Sequence, residues 1–296
     1  MLAPMPSTEP GYAPGALPDY DSPSSLKRLL EAEGLAMSKR LGQNFLVNRR
    51  ARERVLGELE AGPGTRAWEI GPGIGAMTAL ALDASLALSA FEIDHGFARL
   101  LRRVFDGRTG FRLVEGDFLD TWRGELAASG QPERVFGNLP YSAANAIVAA
   151  LVEGAVLPPR MVFTVQKEAA LRMAAKPGTK DYSAFSVLCG SACKVRLAFD
   201  LGSSSFWPAP RVTSTVVTMT PRREIVGGQD RKGFSTFVRA GFATRRKMLR
   251  NTLRGLGHDE AAVAAALESL GIRTDVRAEA LSPEELATVW QALAGA

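Results

Sequence analysis

The sequence has few of the side chains from which metal centres, redox pairs and histidine-based triads are built. Its 296 residues include two cysteines, Cys189 and Cys193, and two histidines, His95 and His258. The cysteines are four positions apart with no histidine nearby, a spacing that fits neither a zinc site nor a CxxC redox pair. We therefore expect two buried free thiols, no metal site and no catalysis by a histidine-based triad.

Long apolar runs and targeting signals are also missing. No stretch approaches the roughly 18 apolar residues of a membrane span, and the N-terminus lacks the basic segment and apolar core of a signal peptide. Hydrophobic residues make up 46% and charged residues 23% of the chain, as is ordinary for a globular protein. We therefore expect a cytoplasmic protein without a membrane partner, and we separately expect it to be a monomer.

Basic residues are absent from the first 26 positions and concentrated in residues 222–254. Residues 1–25 contain six prolines and little apolar periodicity, which is typical of a disordered leader. Residues 222–254 carry ten Lys or Arg side chains against two acidic ones, whereas residues 255–296 carry two against seven. A positive block this local indicates a polyanionic partner, although the same charges would also suit a solvated helix face.

A short apolar segment followed by a glycine-rich loop predicts a nucleotide-cofactor site. Residues 66–70 read as a buried strand, and the loop 71–75, Gly-Pro-Gly-Ile-Gly, opens a helix that extends to about Asp83. In this arrangement the glycines permit close approach of the backbone, and the helix N–H groups face the ligand. The same loop also fits the dinucleotide-binding pattern, so that by itself it leaves NAD open as the cofactor.

Acidic residues follow the next two predicted strands. Glu92 comes directly after a strand over 86–91, and Asp117 lies shortly after a strand over 111–114. Ligands of open α/β sheets bind at the carboxyl ends of the strands, where Glu92 can accept from both ribose hydroxyls of a nucleotide cofactor. An acid in the position of Asp117 can meet an adenine amino group. Each acid alone would also suit a solvated strand end, but their joint placement favours a cofactor site.

An amide, a proline and an aromatic ring are combined in the segment 136–141, Phe-Gly-Asn-Leu-Pro-Tyr, which follows a short predicted strand. The Asn138 amide can accept from an exocyclic N–H and donate to a ring nitrogen, as asparagine does when it pairs with adenine. Tyr141 offers a face on which a flipped base can stack. By itself the segment would equally suit a plain turn. A second candidate for stacking, Phe206, lies in a stiff two-proline loop where core packing explains it equally well.

The remaining periodicity predicts further α/β elements and a helical C-terminal part. Helices are predicted over 25–33, 48–60, 142–153, 166–177 and 283–293, strands over 160–165, 185–200 and 211–220, and a loop or lid over 38–47. Gly227-Gly228 marks a linker, after which apolar residues follow helical spacing up to Leu253. Arg246, Arg250 and Arg254 recur every four residues on another face of that predicted helix.

Taken together, these motifs resemble the ribosomal RNA adenine N6-dimethyltransferases of the small-subunit (RsmA/KsgA) type. The matching segments occur in family order at 41–46 (Leu-Gly-Gln-Asn-Phe-Leu), 69–73, 92–94, 138–141, 166–168, 206–212 and 245–251. The resemblance covers about residues 38–254. It implies an α/β fold with a Rossmann-like class I methyltransferase sheet over 26–222 and a small helical RNA-binding domain over 229–296.

The resemblance also implies roles for individual residues. The cofactor would be S-adenosyl-L-methionine, bound by Asn44, Leu46, Gly71, Gly73, Glu92, Ile93, Asp117, Phe118 and Asn138. The target adenine would be held by Asn138, Leu139, Tyr141 and Phe206, and the RNA backbone by Arg239, Arg245, Arg246, Lys247, Arg250 and Arg254. Hydrogen bonds from the adenine N6–H groups to the Asn138 amide oxygen and the Leu139 carbonyl would localise the N6 lone pair, so that positioning accomplishes most of the catalysis without a metal.

The implied activity is N6-dimethylation of two adjacent adenosines near the 3′ end of small-subunit rRNA, in ribosome biogenesis, with the small-subunit precursor as partner. Four alternatives remain open: a large-subunit rRNA adenine methyltransferase of the antibiotic-resistance type, a DNA adenine methyltransferase, a non-catalytic ribosome-assembly factor and an NAD oxidoreductase. Leu139 and the segment 206–212 favour the small-subunit group, since the resistance type more often has Ile after the Asn. Intact Asn138, Tyr141 and Glu92 favour retained catalysis.

Overall fold

A computed structural model describes residues 16–37, 43–223, 225–227, 230–244 and 246–294. Contacts between Cα atoms group the chain into two units. Unit 1 consists of Met1–Ser142 and Leu201–Thr213, and unit 2 of Ala143–Asp200 and Ser214–Ala296. Residues 1–15 of the predicted leader lie outside the described residues, and so does Arg245. The predicted boundary between a methyltransferase domain that ends at residue 222 and an RNA-binding domain that begins at residue 229 stays a prediction.

Helices and strands alternate through most of the chain. The first half contains α1 (Pro23–Ala32), β1 (Phe45–Leu46), α2 (Arg49–Gly57), β2 (Arg66–Ile70), α3 (Ala76–Asp83), β3 (Ala87–Glu92), α4 (His95–Val104), β4 (Phe111–Glu115), α5 (Phe118–Ser129) and β5 (Arg134–Asn138). The second half contains α6 (Ala144–Glu153), β6 (Arg160–Gln166), α7 (Lys167–Met173), α8 (Ala184–Ala192), β7 (Cys193–Leu201), β8 (Phe206–Trp207), β9 (Ser214–Pro221), α9 (Arg231–Phe242), α10 (Leu249–Thr252), α11 (Glu260–Ser269) and α12 (Pro283–Ala294). Short 3₁₀ turns cover Ser203–Ser205, Leu253–Leu256 and Ala278–Ala280.

Unit 1 is built on parallel strands. Four of the seven strands of the main sheet belong to it, in the order β4-β3-β2-β5, and every neighbouring pair is parallel. Three aromatic rings, those of Trp68, Phe91 and Phe118, pack edge-on against one another beside these strands, and their centroids are 5.0 to 6.3 Å apart. Because parallel strands end at the same edge of a sheet, the residues that follow β2, β3, β4 and β5 are brought together there.

Unit 2 combines the other three strands of the main sheet with helices. The strands lie in the order β6-β9-β7, and β6 and β9 are antiparallel with Met161 opposite Met219. The aromatic side chains Tyr182, Phe234 and Phe237 are almost completely buried in one apolar cluster with α9, α11 and α12. The Tyr182 hydroxyl donates to the Leu281 carbonyl at 2.8 Å, which satisfies its polar end inside that cluster.

Both cysteines lie in unit 2 as buried free thiols, as predicted. Burial raises the pKa of the Cys193 thiol to about 12, and burial also raises that of Cys189. A thiol with so high a pKa is neutral at physiological pH and is a poor nucleophile. The two cysteines therefore act as small apolar side chains of the core.

Several predicted elements are confirmed at their capping residues. The strand over 66–70 agrees with β2, and α2 begins where Asn48 accepts a side-chain cap bond from the Ala51 N–H at 2.9 Å. At α12, the Ser282 and Glu285 side chains each accept from the other residue's backbone N–H, at 3.1 and 2.8 Å. This reciprocal pair is a capping box, and it starts the helix that was predicted over 283–293.

Three predictions of secondary structure were wrong in part. The strand predicted over 185–200 is the helix α8 followed by β7, because a continuous apolar run fits a buried helix as well as a strand, and the Ser183–Ser186 capping box starts a helix. The described part of the predicted loop 38–47 includes β1, which pairs with β8. Helix α9 ends at Phe242 and the chain becomes helical again at Leu249, so that Arg246, Arg250 and Arg254 do not share one continuous helix.

A carboxyl group is buried at the end of β2, next to the glycine-rich loop. Glu69 is 2% exposed, and its Oε2 accepts a hydrogen bond from the Thr78 hydroxyl at 2.7 Å. Burial raises the pKa of Glu69 to about 8, against an ordinary value of 4.5, while the Thr78 bond acts in the opposite direction. The folded protein therefore holds a proton that the unfolded chain releases at lower pH.

This difference predicts a pH-dependent loss of stability. The stabilisation from protonated Glu69 is fully present below about pH 4.5 and is lost as pH rises through 8. Between these values the free energy of unfolding falls by roughly 1.4 kcal/mol per pH unit. Glu69→Gln keeps an acceptor for Thr78 without a charge. We expect urea unfolding to show a smaller decrease in the free energy of unfolding of this variant than of the wild type between pH 5 and 8.

The exposed Glu268, whose carboxyl lies on the surface of α11, supplies the control. Glu268→Gln should follow the wild-type curve across the same pH range. Parallel curves for the wild type and Glu69→Gln would show that Glu69 is ionised throughout.

Candidate active site

A cleft in unit 1 lies at the carboxyl ends of β2, β3 and β5. Four segments line it: Gln43–Phe45, the glycines Gly71 and Gly73, the pair Glu92–Ile93, and Asn138–Tyr141. Three of these segments follow strands of the sheet, and the fourth is the chain that leads into β1. The structure therefore brings together eight of the predicted cofactor and base-binding residues, which are Asn44, Gly71, Gly73, Glu92, Ile93, Asn138, Leu139 and Tyr141.

The glycine-rich turn after β2 has a backbone that few other residues could adopt. Gly71 and Gly73 have φ values of +72° and +57°, in the left-handed region. At Gly73 the space is also closed, because an added Cβ would lie 2.8 Å from the Phe45 ring. The aromatic ring of the 43–46 segment thus packs directly on the turn.

Glu92 is a buried carboxylate held by backbone N–H groups. It is 4% exposed, and its two oxygens accept from the N–H groups of Gly73 at 2.9 Å and Asp94 at 2.8 Å. Burial raises its pKa to about 7, although these hydrogen bonds act in the opposite direction. A carboxylate has about four acceptor positions, so after two backbone bonds it can still accept from two hydroxyl groups of a ligand. The neighbouring Ile93 is 43% exposed and adds an apolar surface.

The Asn138 side chain is fixed by a long-range hydrogen bond. Its Nδ2 donates to the Asn44 carbonyl at 2.6 Å, between residues 94 positions apart. With the amide nitrogen held in this way, Oδ1 is the acceptor end of the side chain. The preceding Gly137 allows this position, because a Cβ there would lie 2.4 Å from the Ile70 carbonyl oxygen. Close approach of β5 to β2 therefore places Asn138 beside the glycine turn.

The segment that covers the cleft is itself held by the second, two-stranded sheet. In this sheet Phe45 is opposite Trp207 and Leu46 is opposite Phe206. The Val47 N–H continues the pairing by donating to the Ser205 carbonyl at 2.9 Å. The sequence did not predict this pairing, and it assigned no individual site role to three of the lining residues, Gln43, Phe45 and Pro140. Their signal was membership of the motifs 41–46 and 138–141, in which each is adjacent to a residue with a predicted role.

Four predicted site residues are not among those that line this cleft. Leu46 is 3% exposed and lines a neighbouring pocket with Glu69 and Gly71, and Phe206 is 4% exposed opposite it. Phe118 is 4% exposed in the aromatic core, where it packs on Phe91, and Asp117 caps α5 by accepting from the Leu119 N–H at 2.9 Å. Their roles toward a cofactor or base stay predictions.

The predicted RNA-binding residues lie in unit 2, apart from Arg245, which is outside the described residues. Arg246, Lys247 and Arg254 are exposed. Arg239 pairs with Glu153 at 2.6 Å, and Arg250 pairs with Glu260 at 3.3 Å. The Arg239 side chain is 62% exposed and the Arg250 side chain 31% exposed. Because ion pairs of exposed side chains contribute little to stability, Arg239 is the cation of the two that can exchange its partner for a phosphate group at small cost.

Among the residues that the structure describes, no group of three or more His, Cys, Asp or Glu side chains could hold a metal ion. In the same part of the chain, the helices are too short or too polar for any of them to span a membrane. The candidate site is therefore built from backbone groups, amides, carboxylates and aromatic rings.

Known proteins resemble this chain in sequence, and solved structures resemble it in fold. Ribosomal RNA small subunit methyltransferase A of Treponema denticola is 42% identical over 271 residues, which cover 90% of this chain and 92% of the relative. The protein of the same name from Borreliella burgdorferi is 39% identical over 235 residues, covering 79% and 82%.

Two solved structures have the same fold at lower identity. A dimethyladenosine transferase from Plasmodium falciparum matches with a TM-score of 0.67 and 20% identity, covering 82% of this chain and 94% of that one. The 23S rRNA methyltransferase ErmE matches with a TM-score of 0.60 and 22% identity, covering 83% and 98%. These likenesses confirm the predicted Rossmann-like class I methyltransferase fold.

The predicted resemblance is also confirmed at the level of the family. The model of the family described as "Ribosomal RNA adenine dimethylase" matches residues 34–294, which is most of the chain. Together with the identities to the two bacterial relatives, this match identifies the chain as a member of the ribosomal RNA adenine dimethylase family.

Proposed function

We propose that this protein transfers methyl groups from S-adenosyl-L-methionine to the N6 atoms of two adjacent adenosines near the 3′ end of small-subunit ribosomal RNA. The observation that carries the proposal is the fixed Asn138 amide, which shares one cleft with the glycine turn, Glu92 and Tyr141. The names of the bacterial relatives, which specify the small ribosomal subunit, support this choice of RNA.

The residues of the cleft fit a nucleoside cofactor. Glu92 retains acceptor capacity for two ribose hydroxyls after its bonds to Gly73 and Asp94. Gly71 and Gly73 lack side chains where the backbone must approach the ligand closely, and Ile93 offers an apolar surface for an adenine ring. S-adenosyl-L-methionine, when bound, supplies a methyl group activated by the positive charge on its sulfur.

The chain's own contribution to the reaction is to orient the target base. The Asn138 Oδ1 and the Leu139 carbonyl accept from the two N6–H groups of adenine, which turns the N6 lone pair out of conjugation with the ring. The hydrogen bond from Asn138 Nδ2 to Asn44 keeps the amide in the orientation that this requires. Tyr141 provides a ring against which an unstacked base can lie. Such preorganisation lowers the barrier without a formal base.

The exposed cations of unit 2 would bind the phosphate backbone of the RNA. Arg246, Lys247 and Arg254 are exposed there, within the segment that carries ten basic residues against two acidic ones. Binding through such contacts releases counterions and therefore weakens as the salt concentration rises. The partner would accordingly be the small-subunit precursor, whose RNA this segment would bind.

The proposal is tested by incubating the protein with S-adenosyl-L-methionine carrying a labelled methyl group and with unmethylated small ribosomal subunits. Large-subunit RNA and duplex DNA serve as parallel substrates. We expect label only in small-subunit RNA, recovered by nucleoside analysis as N6,N6-dimethyladenosine. Label in large-subunit RNA would instead support the resistance-type alternative, and cofactor binding without any transfer would support a non-catalytic assembly factor.

Asn138→Ala should abolish most of the methyl transfer, because it removes the acceptor that orients adenine N6. We expect a decrease in kcat of about 100-fold or more, with an unchanged far-UV spectrum and RNA affinity within about twofold of the wild type. Asn145→Ala, an exposed asparagine on α6, is the matched control and should retain full turnover. Near-normal turnover in Asn138→Ala would contradict the assigned role.

Reversing two exposed charges should separate RNA binding from cofactor binding. We expect Arg246→Glu combined with Lys247→Glu to weaken RNA binding at least tenfold and to reduce its salt dependence. The affinity for S-adenosylhomocysteine, measured by calorimetry, should stay unchanged. Arg273→Glu, at a side chain that is 84% exposed and lies outside this group, is the control for a general charge effect. Equal losses in both titrations would argue against the division.

A further inference from the structure

An arginine is buried next to the segment that covers the candidate active site. Arg52, on α2, is 3% exposed, which is uncommon for a residue that carries a permanent charge. Its Nη1 donates to the carbonyls of Leu46 and Val47, both at 2.9 Å, and to that of Tyr20 at 3.3 Å. Its Nη2 donates to the Asp21 carboxylate at 2.5 Å. One guanidinium thus joins the N-terminal segment to the backbone that follows Asn44 and Phe45.

The two carbonyls that Arg52 holds are close in sequence to the functional contacts of the cleft. Leu46 and Val47 follow directly after Phe45, whose ring packs on Gly73. Asn44 precedes Phe45 and accepts the hydrogen bond that orients the Asn138 amide. A shift of the backbone at Leu46 would therefore be transmitted to both contacts within two residues.

The N-terminal segment that carries Asp21 is itself firmly packed. Tyr20 is 7% exposed and α1 begins at Pro23, so this part of the predicted leader is folded. The α1 side chains Leu26, Leu29 and Leu30 are between 0% and 4% exposed. Beyond α1, Glu33 forms an ion pair with Arg103 on α4, the helix that follows Glu92 and Asp94. The segment is thus attached both to the backbone that follows Phe45, through Arg52, and to α4.

We propose that the segment 20–33 is a positioning element of the active site, which acts through the Asp21–Arg52 pair. The Asp21 carboxylate compensates the buried guanidinium, and Arg52 in turn fixes the Leu46 and Val47 carbonyls. These fixed carbonyls keep the Asn44 carbonyl and the Phe45 ring in the positions that order Asn138 and the glycine turn. The inference rests on the proposed function, because the contacts that it explains are those assigned to cofactor and base.

The variant Asp21→Ala tests the proposal, because Asp21 has a half-exposed side chain, 46% accessible, whose removal leaves the core intact. We expect the dissociation constant of S-adenosylhomocysteine to rise about tenfold and kcat for methyl transfer to fall by a similar factor, since small displacements of positioning groups are costly. RNA affinity should not change. Asp21→Glu restores the carboxylate and should recover most of both losses. Amide exchange at Val47, whose N–H donates to Ser205, should become faster in Asp21→Ala.

Glu133→Ala is the matched control, because it also removes a carboxylate that pairs with an arginine of unit 1. Glu133 lies 3.8 Å from Arg66 at the start of β2, the end of that strand away from the cleft. If Asp21→Ala and Glu133→Ala lower the melting temperature equally and leave cofactor affinity and kcat unchanged, Asp21 is only structural and the inference is wrong. If the wild type itself neither binds S-adenosylhomocysteine nor transfers methyl groups, the proposed function fails first and the inference fails with it.

Discussion

The hydrogen bond from the Asn138 amide to the Asn44 carbonyl is the contact on which the candidate site depends. It joins the end of β5 to the segment whose Phe45 ring packs on the glycine turn, and it sets the direction of the amide. Its geometry requires glycine at two places: Gly137, where β5 approaches the Ile70 carbonyl, and Gly73, where the Phe45 ring lies on the backbone. The positions of these glycines therefore follow from packing as much as from any ligand.

Two buried carboxyl groups at this cleft and beside it destabilise the folded state. Burial raises the pKa of Glu92 to about 7 and that of Glu69 to about 8, so both ionise reluctantly in the folded state. Apolar side chains of similar size would destabilise the folded state less in the same places. Glu92 in return offers a fixed, desolvated acceptor whose orientation is set by two backbone N–H groups. Perturbed carboxyl groups of this kind are typical of functional sites, where stability is given up for preorganisation.

The strands and caps that position the site could be predicted from the sequence, because glycine loops, capping residues and strand-end acids are local signals. The sequence was not sufficient where long-range contacts decide the structure. The apolar run of α8 could have been a strand by periodicity alone, and the break between Phe242 and Leu249 separates arginines that seemed to share one face. The contacts of Arg52 with Asp21 and with the Leu46 carbonyl, two groups far apart in the chain, had no signature in the sequence.

Whether one cleft holds both the cofactor and the target base is tested most directly by a crystal structure with S-adenosylhomocysteine and adenosine bound. We expect the cofactor's ribose hydroxyls to donate to Glu92, and the adenosine N6 to lie within hydrogen-bonding distance of both Asn138 Oδ1 and the Leu139 carbonyl. The hydrogen bond from Asn138 to Asn44 should persist. A cofactor bound without contact to Glu92, or an adenosine with N6 directed away from Asn138, would contradict this account of the site.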